Sequence, residues 1–229
     1  MKAIILAAGK GERMLPLTKI IPKPLIPVSG KPVLDRLFEA MPKEITDVII
    51  VVLHLAEKIR EHCGDNFHGR KISYVKGSTA GNAKSFLAAK DLVKNESRFL
   101  LLQGDELPYS KDIERCLTFP SSSLCFEMPD PWNHGIAALR PDGTIESVVE
   151  KPEASIGNLV NDGVMVLTQK IFDCKPLQGP KGESSFSSMF DQYVKKERVM
   201  AIKAQYGCGG FSSPADIPRV EEILRQRPA

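Results

Sequence analysis

The 229-residue chain has little net charge, few cysteines and no long apolar run. Lys and Arg number 31 against 28 Asp and Glu, a net charge of +3. That balance excludes a general nucleic-acid binder and still permits a local basic pocket. The five cysteines, Cys63, Cys116, Cys125, Cys174 and Cys208, are odd in number, widely spaced and form no CxxC. This argues against a zinc cage or a disulfide framework, and scattered thiols suit a reducing cytosol. The apolar run at residues 3–8 is too short for a signal-peptide core. No other stretch approaches the roughly 20 apolar residues of a membrane span. There is no repeat, no glycine period and no low-complexity tract. With 42% hydrophobic and 26% charged residues the composition is that of a globular protein. The expectation is one cytoplasmic domain without membrane contact.

What is present is an alternation of short apolar strands and amphipathic helices. Residues 3–6 predict a buried first strand, followed by an aperiodic, Gly-, Pro- and Lys-rich loop at 9–31. Residues 32–41 predict a helix with Val33, Leu34, Leu37 and Phe38 on one face. Residues 48–53, 72–75, 99–102 and 124–126 predict strands. Residues 57–63, closed by Gly64, and 82–93 predict helices, the latter with Ala83, Phe86, Leu87 and Leu92 inward. Ser110 is placed as the cap of a helix running to 117. This order implies βαβ units and a parallel sheet covered by helices on both faces. Beyond 126 the pattern changes. Residues 136–139 and 144–149 flank a turn signal and predict a hairpin. Strands at 164–167 and 200–204 and helices at 186–195 and 218–225 complete a mixed α/β domain.

The loop after the first strand begins Gly9-Lys10-Gly11-Glu12-Arg13, at the strand edge where open α/β sheets bind ligands. Glycines let backbone amides approach a phosphate, and Arg13 and Lys23 add positive charge. The loop lacks the Gly-Lys-Ser/Thr of a Walker A motif. Met14 also breaks a GxGxxG pattern, which argues against a nicotinamide-dependent oxidoreductase.

The longer stretch, Leu6-Ala7-Ala8-Gly9-Lys10-Gly11-Glu12-Arg13-Met14-Leu15-Pro16-Leu17-Thr18 with Pro22-Lys23-Pro24-Leu25-Ile26-Pro27-Val28, resembles the signature of the sugar-1-phosphate nucleotidylyltransferases, or NDP-sugar pyrophosphorylases. The resemblance continues at Gly104-Asp105, Gly135, Glu150-Lys151-Pro152 and 207–217. It implies a Rossmann-like nucleotide-diphospho-sugar transferase fold, with a nucleotide-binding half at 1–126 and a sugar-phosphate-binding half at 127–229. It implies a Mg²⁺-dependent enzyme of the 2.7.7 class that joins a nucleoside triphosphate to a sugar 1-phosphate and releases pyrophosphate. Homo-oligomers are frequent in the family.

By that resemblance the backbone of Leu6, Ala7, Ala8 and Gly9 would lie against the nucleobase, and Gly11 would approach the triphosphate. Arg13 would hold the leaving pyrophosphate, Lys23 would contact the α-phosphate, and Asp105 would be the metal aspartate. Lys76 and Gly81 fall in the base-reading segment, where family members often carry Gln or Glu in place of Lys76, so the base stays open. Gly135 would admit the sugar, Glu150 would bind its hydroxyls, Lys151 its phosphate, and Asn161 would begin a further sugar-lining strand. Glu106, next to Asp105, would point differently and stay outside the metal shell. One departure stands out. Where the family usually has a second metal aspartate this chain has Gly210, and Asp216 reads as a cap of the last helix. Asp162 would substitute only if the fold brings it near. Two readings follow: an active nucleotidylyltransferase, or a catalytically weak nucleotide-binding relative that acts as a sensor or partner subunit. A phosphorylated alcohol is the other acceptor, which Glu150-Lys151-Pro152 disfavours against a sugar.

Overall fold

The computed structural model describes residues 1–128, 131, 135–150, 157–179, 182–207 and 210–228. Strands β1 (Lys2–Ala7), β2 (Asp47–Val52), β3 (Arg70–Lys76) and β4 (Arg98–Gln103) form a parallel sheet in the order β4-β1-β2-β3. Their residues alternate between two cores. Ile4, Leu6, Ile49, Val51, Phe99 and Leu101 face one, and Ala3, Ile5, Val48, Ile50, Leu100 and Leu102 face the other. Both faces are covered, so the runs IIL, VIIVV and FLLL carry no polar residue.

Helices α1 (Val33–Ala40), α2 (Ala56–Cys63) and α5 (Ser110–Leu117) cover one face. Helices α3 (Asn82–Leu87), α4 (Lys90–Val93) and α6 (Phe186–Lys196) cover the other. The predicted face of α1 is fully buried, and Gly64 ends α2 with φ +57°. The single helix predicted over 82–93 is two. Ala89 N–H donates to the Phe86 carbonyl and Leu92 N–H to that of Ala89, both i→i−3 bonds. That tighter winding turns Val93 into the core and leaves Leu92 38% exposed. Ser110 is the first residue of α5 and not its cap, a position held by Tyr109.

The second half inserts antiparallel strands. The long strand β8 (Leu159–Thr168) runs antiparallel between β4 and β5 (Ser122–Glu127), so β5 does not join the parallel set as its order in the chain suggested. Strand β9 (Met200–Lys203) extends β5 in parallel. The predicted hairpin is present as β6 (Gly135–Leu139) and β7 (Ile145–Glu150), joined to β8 through Val160 and Ile136. Since Val164 pairs Leu102, the start of β8 and this hairpin overhang the C-terminal end of β4.

A third core lies beneath the loop after β1. Met14, Ile26, Val28, Val33 and Leu107 pack there with Phe211 and with Val220 of helix α7 (Ile217–Gln226). The loop is not aperiodic coil. It makes three 3₁₀ turns, Glu12–Met14, Leu17–Lys19 and Lys23–Leu25. Among the described residues no helix is long and apolar enough to cross a membrane. Cys63, Cys116, Cys125 and Cys174 are buried free thiols, and Cys208 lies outside the described residues. Burial, then the Asp35 carboxylate, pushes the Cys63 thiol up to about 12, so it stays neutral at physiological pH.

Met14 has no exposed surface and ties the loop to α7. Met14→Ala is expected to cost about 2–5 kcal/mol in chemical denaturation. Wild-type stability would refute a third core that holds the loop.

Candidate active site

A cleft of about 600 Å³ opens at the C-terminal ends of β1 and β4. Its walls are residues 6–13, Lys23 and Pro24, Leu53, Ser78, Thr79, Gly81, Asn82, Ser85, Gln103, Gly104, Asp105 and Ser212.

The loop is shaped by Gly11. Its φ is +64°, and a Cβ on it would lie 2.8 Å from Thr18 Cγ2, so only glycine fits without a shift. Buried Thr18 closes the turn by donating from Oγ1 to the Gly11 carbonyl at 2.8 Å, and His54 Nε2 meets the Thr18 carbonyl at 2.7 Å. With Met14 pinned in its core, Arg13 is left exposed on the cleft wall. No hydrogen bond or ion pair engages the Arg13 side chain among the described residues.

The end of β4 meets the loop through Gly104. Its N–H donates to the Leu6 carbonyl at 2.9 Å, and a Cβ there would come within 3.0 Å of that oxygen. Asp105 follows, and Lys23 Nζ donates to Asp105 Oδ2. The same ammonium lies 4.9 Å from the centre of the Phe211 ring. The Lys23 side chain is only 12% exposed, so its charge is held in place by a carboxylate and an aromatic face.

The third wall depends on two close approaches. A Cβ on Gly77 would lie 2.6 Å from Ala8 Cβ. A Cβ on Gly81, at φ +121°, would lie 2.3 Å from the Ser184 carbonyl oxygen. Ser184 N–H donates to the Ala80 carbonyl at 2.7 Å and Phe186 N–H to Asn82 Oδ1 at 2.8 Å. One residue on, Ser187 Oγ donates to Glu150 Oε2 at 2.7 Å. The start of α6 thus links the cleft to the end of the β6–β7 hairpin.

Residues 2–206 match the profile of the family described as Nucleotidyl transferase. The chain belongs to the nucleotidyl transferase family. It is 33% identical over 227 residues to the bifunctional protein GlmU of Methanocaldococcus jannaschii, a match covering 98% of this chain and 54% of that protein. The chain therefore spans about half the length of that relative. It is 29% identical over 238 residues to the UTP–glucose-1-phosphate uridylyltransferase AglF of Haloferax volcanii, covering 99% of this chain and 97% of that one. It is 32% identical over 206 residues to the D-glycero-alpha-D-manno-heptose 1-phosphate guanylyltransferase of Campylobacter jejuni, covering 88% and 90%. A solved UDP-glucose pyrophosphorylase complexed with UDP-glucose aligns over 98% of both chains with a TM-score of 0.83 and 22% identity, so the two share a fold.

The chain brings Leu6, Ala7, Ala8, Gly9, Gly11, Arg13, Lys23, Gly81 and Asp105 together around one cleft. Lys76 is not on its wall. Side chains alternate along β3, and Ile72 and Tyr74 pack in the core opposite that of Val75 and α3. Lys76 shares their face, whereas the cleft uses the small polar residues that follow. Ser78, Thr79, Ser85, Gln103 and Ser212 also line it without having been predicted. Gly135, Glu150 and Asn161 lie off this wall and cluster on neighbouring strands. Gly135 pairs Glu150 in register, and a Cβ on Gly135 would meet Glu150 Oε2 at 3.3 Å. Asn161 turns its Oδ1 to the Ser123 hydroxyl. Lys151 and the side chain of Asp162 lie outside the described residues.

Asp216 stands at the N-cap position of α7, but its side chain makes no cap bond to that helix; it closes a capping box with Ser213 on the preceding turn, Pro214–Asp216. Its Oδ2 accepts from the backbone N–H of Ser212 and Ser213 at 2.7 and 2.8 Å. Burial raises its carboxyl, but these hydrogen bonds outweigh it and hold the pKa below the usual value. Among the described residues no three His, Cys, Asp or Glu converge as a metal cage.

Gly81→Ala combines a positive φ with a collision against the Ser184 backbone. A loss of roughly 1–3 kcal/mol and weaker nucleotide binding are expected together. Calorimetric melting and nucleotide titration check both, and an unchanged melting temperature would contradict the packing described.

Proposed function

We propose that this chain transfers a nucleotidyl group from a nucleoside triphosphate to a sugar 1-phosphate. The observation that carries this reading is the Lys23–Asp105 pair at the foot of the Gly-rich loop, on a cleft that Arg13 also lines. Both substrates are polyanions, so positioning and charge neutralisation supply most of the catalysis. A sugar-phosphate oxygen attacks the α-phosphorus. The bond from that phosphorus to the bridging oxygen of the β-phosphate breaks, and pyrophosphate leaves with the bonding electrons. The sugar phosphate is ionised at neutral pH, so no general base and no covalent nucleophile are needed.

In this scheme the backbone of residues 6–9 holds the base side and the Gly11 turn admits the triphosphate. Lys23 donates to the α-phosphate as its negative charge grows, and Arg13 holds the departing pyrophosphate. Asp105 would hold Mg²⁺, and its carboxylate already accepts one cation, the Lys23 ammonium. Mg²⁺ needs few protein oxygens because it keeps waters and takes phosphate oxygens. When bound it would neutralise those oxygens as a Lewis acid. Glu150, steadied by Ser187, fits contact with sugar hydroxyls at the overhanging hairpin. Names of relatives that specify glucose 1-phosphate and a heptose 1-phosphate support a sugar 1-phosphate acceptor. The buried free thiols support a cytoplasmic setting. Gly210 favours the second reading, a nucleotide-binding subunit with little turnover.

Pyrophosphate release with Mg²⁺ decides between them, with each common nucleoside triphosphate set against a panel of sugar 1-phosphates and phosphocholine. Release with one pair, lost in Asp105→Ala, is the expected result. Nucleotide binding without release from any pair would favour the binding subunit. Arg13→Ala and Lys23→Ala are each expected to lower kcat roughly 100-fold or more while remaining folded. Normal turnover in either would remove that residue from the scheme.

A further inference from the structure

Gly210 is buried, and a neighbouring carboxylate explains the glycine. A Cβ built on it would lie 2.4 and 2.6 Å from the two carboxylate oxygens of Glu106 and 2.7 Å from its Cδ. A Cβ on Gly163 would lie 2.4 and 2.8 Å from Gln103 Cγ and Cβ and 3.0 Å from Glu106 Cγ. Gly210 is thus the glycine that leaves a slot for the Glu106 carboxylate, and Gly163 clears Gln103 and, less closely, the Glu106 stem. Arg219 fixes the far wall by donating from Nη2 to the Gly210 carbonyl at 2.6 Å. The next residue, Phe211, is the ring beneath the Lys23 ammonium, and that ammonium holds Asp105, the residue before Glu106.

We infer that Glu106 is the second protein carboxylate of the divalent-cation site, reaching from the end of β4 into the space a side chain at 210 would have taken. The inference rests on the nucleotidyl-transfer reading, and it changes what Gly210 means. A glycine there removes one possible ligand and at the same time admits another, with the same charge and the same oxygen donors. The donor set then matches a hard cation, with two carboxylates from the protein and the remaining positions taken by phosphate oxygens and water.

Mn²⁺ serves as the probe, and its binding is read from the electron paramagnetic resonance signal of the free ion, alone and with UTP. Glu106→Gln is expected to weaken Mn²⁺ binding about tenfold or more, with an unchanged melting temperature. The double variant Glu106→Ala/Gly210→Asp, which refills the slot with a carboxylate from the opposite side, is expected to recover most of the affinity. It also provides the test should Glu106→Gln unfold. Wild-type Mn²⁺ affinity in Glu106→Gln, with loss in Asp105→Asn, would overturn the inference and leave nucleotidyl transfer standing. A folded double variant without recovery would overturn it as well. A wild-type protein that bound no Mn²⁺ under either condition would overturn both.

Discussion

The contact between Lys23 and Asp105 is where the parts of this molecule meet. The lysine comes from the loop after β1 and the aspartate from the end of β4, strands that are direct neighbours in the sheet. Each partner needs its own support. Lys23 lies over Phe211, and Phe211 packs in the same small core as Met14 and Val220. Asp105 is delivered by Gly104, whose missing side chain lets β4 close on the Leu6 carbonyl. A largely buried ammonium without its carboxylate would bear a desolvation cost that the Phe211 ring alone offsets only in part. The loop, the strand end and the C-terminal helix therefore hold the cleft as a unit.

The sheet serves that arrangement. Four parallel strands sealed on both faces place several strand ends side by side on one rigid edge. The antiparallel insertion of β8 then carries the β6–β7 hairpin past the end of β4. The hairpin and the cleft are joined by Ser184 and the start of α6: Ser184 binds Ala80, Phe186 binds Asn82 and Ser187 binds Glu150. A bond-forming step between two bound anions needs this kind of shared frame, because small misplacements of either reactant are costly.

Much of this was legible in the chain itself. The sealed strands read as unbroken apolar runs because both of their faces are buried, and α1 read as a clean apolar stripe. Glycines and charge at a strand end are common in surface loops as well; Arg13, Lys23 and Asp105 were singled out because the whole stretch resembles a family signature, and the fold brings them to one cleft. Other features depend on tertiary detail. The break between α3 and α4 comes from i→i−3 bonds that leave no mark in composition. Strand β8 looked shorter because Asn161-Asp162-Gly163 reads as a turn, whereas it lies within the strand, at a shift of its register with β5. Lys76 was misplaced because its side of β3 is set by which core Val75 enters. The slot for Glu106 depends on Gly210, which only the folded chain brings against the end of β4.

The account stands or falls on what the ammonium and the carboxylate do when substrate arrives. A crystal structure with Mg²⁺ and a nucleoside triphosphate analogue carrying a methylene bridge between the α- and β-phosphorus tests this directly. The account predicts that Lys23 Nζ leaves Asp105 for an α-phosphate oxygen, while the Asp105 carboxylate turns to the cation. An intact Lys23–Asp105 pair, with the nucleotide bound elsewhere on the molecule, would contradict it.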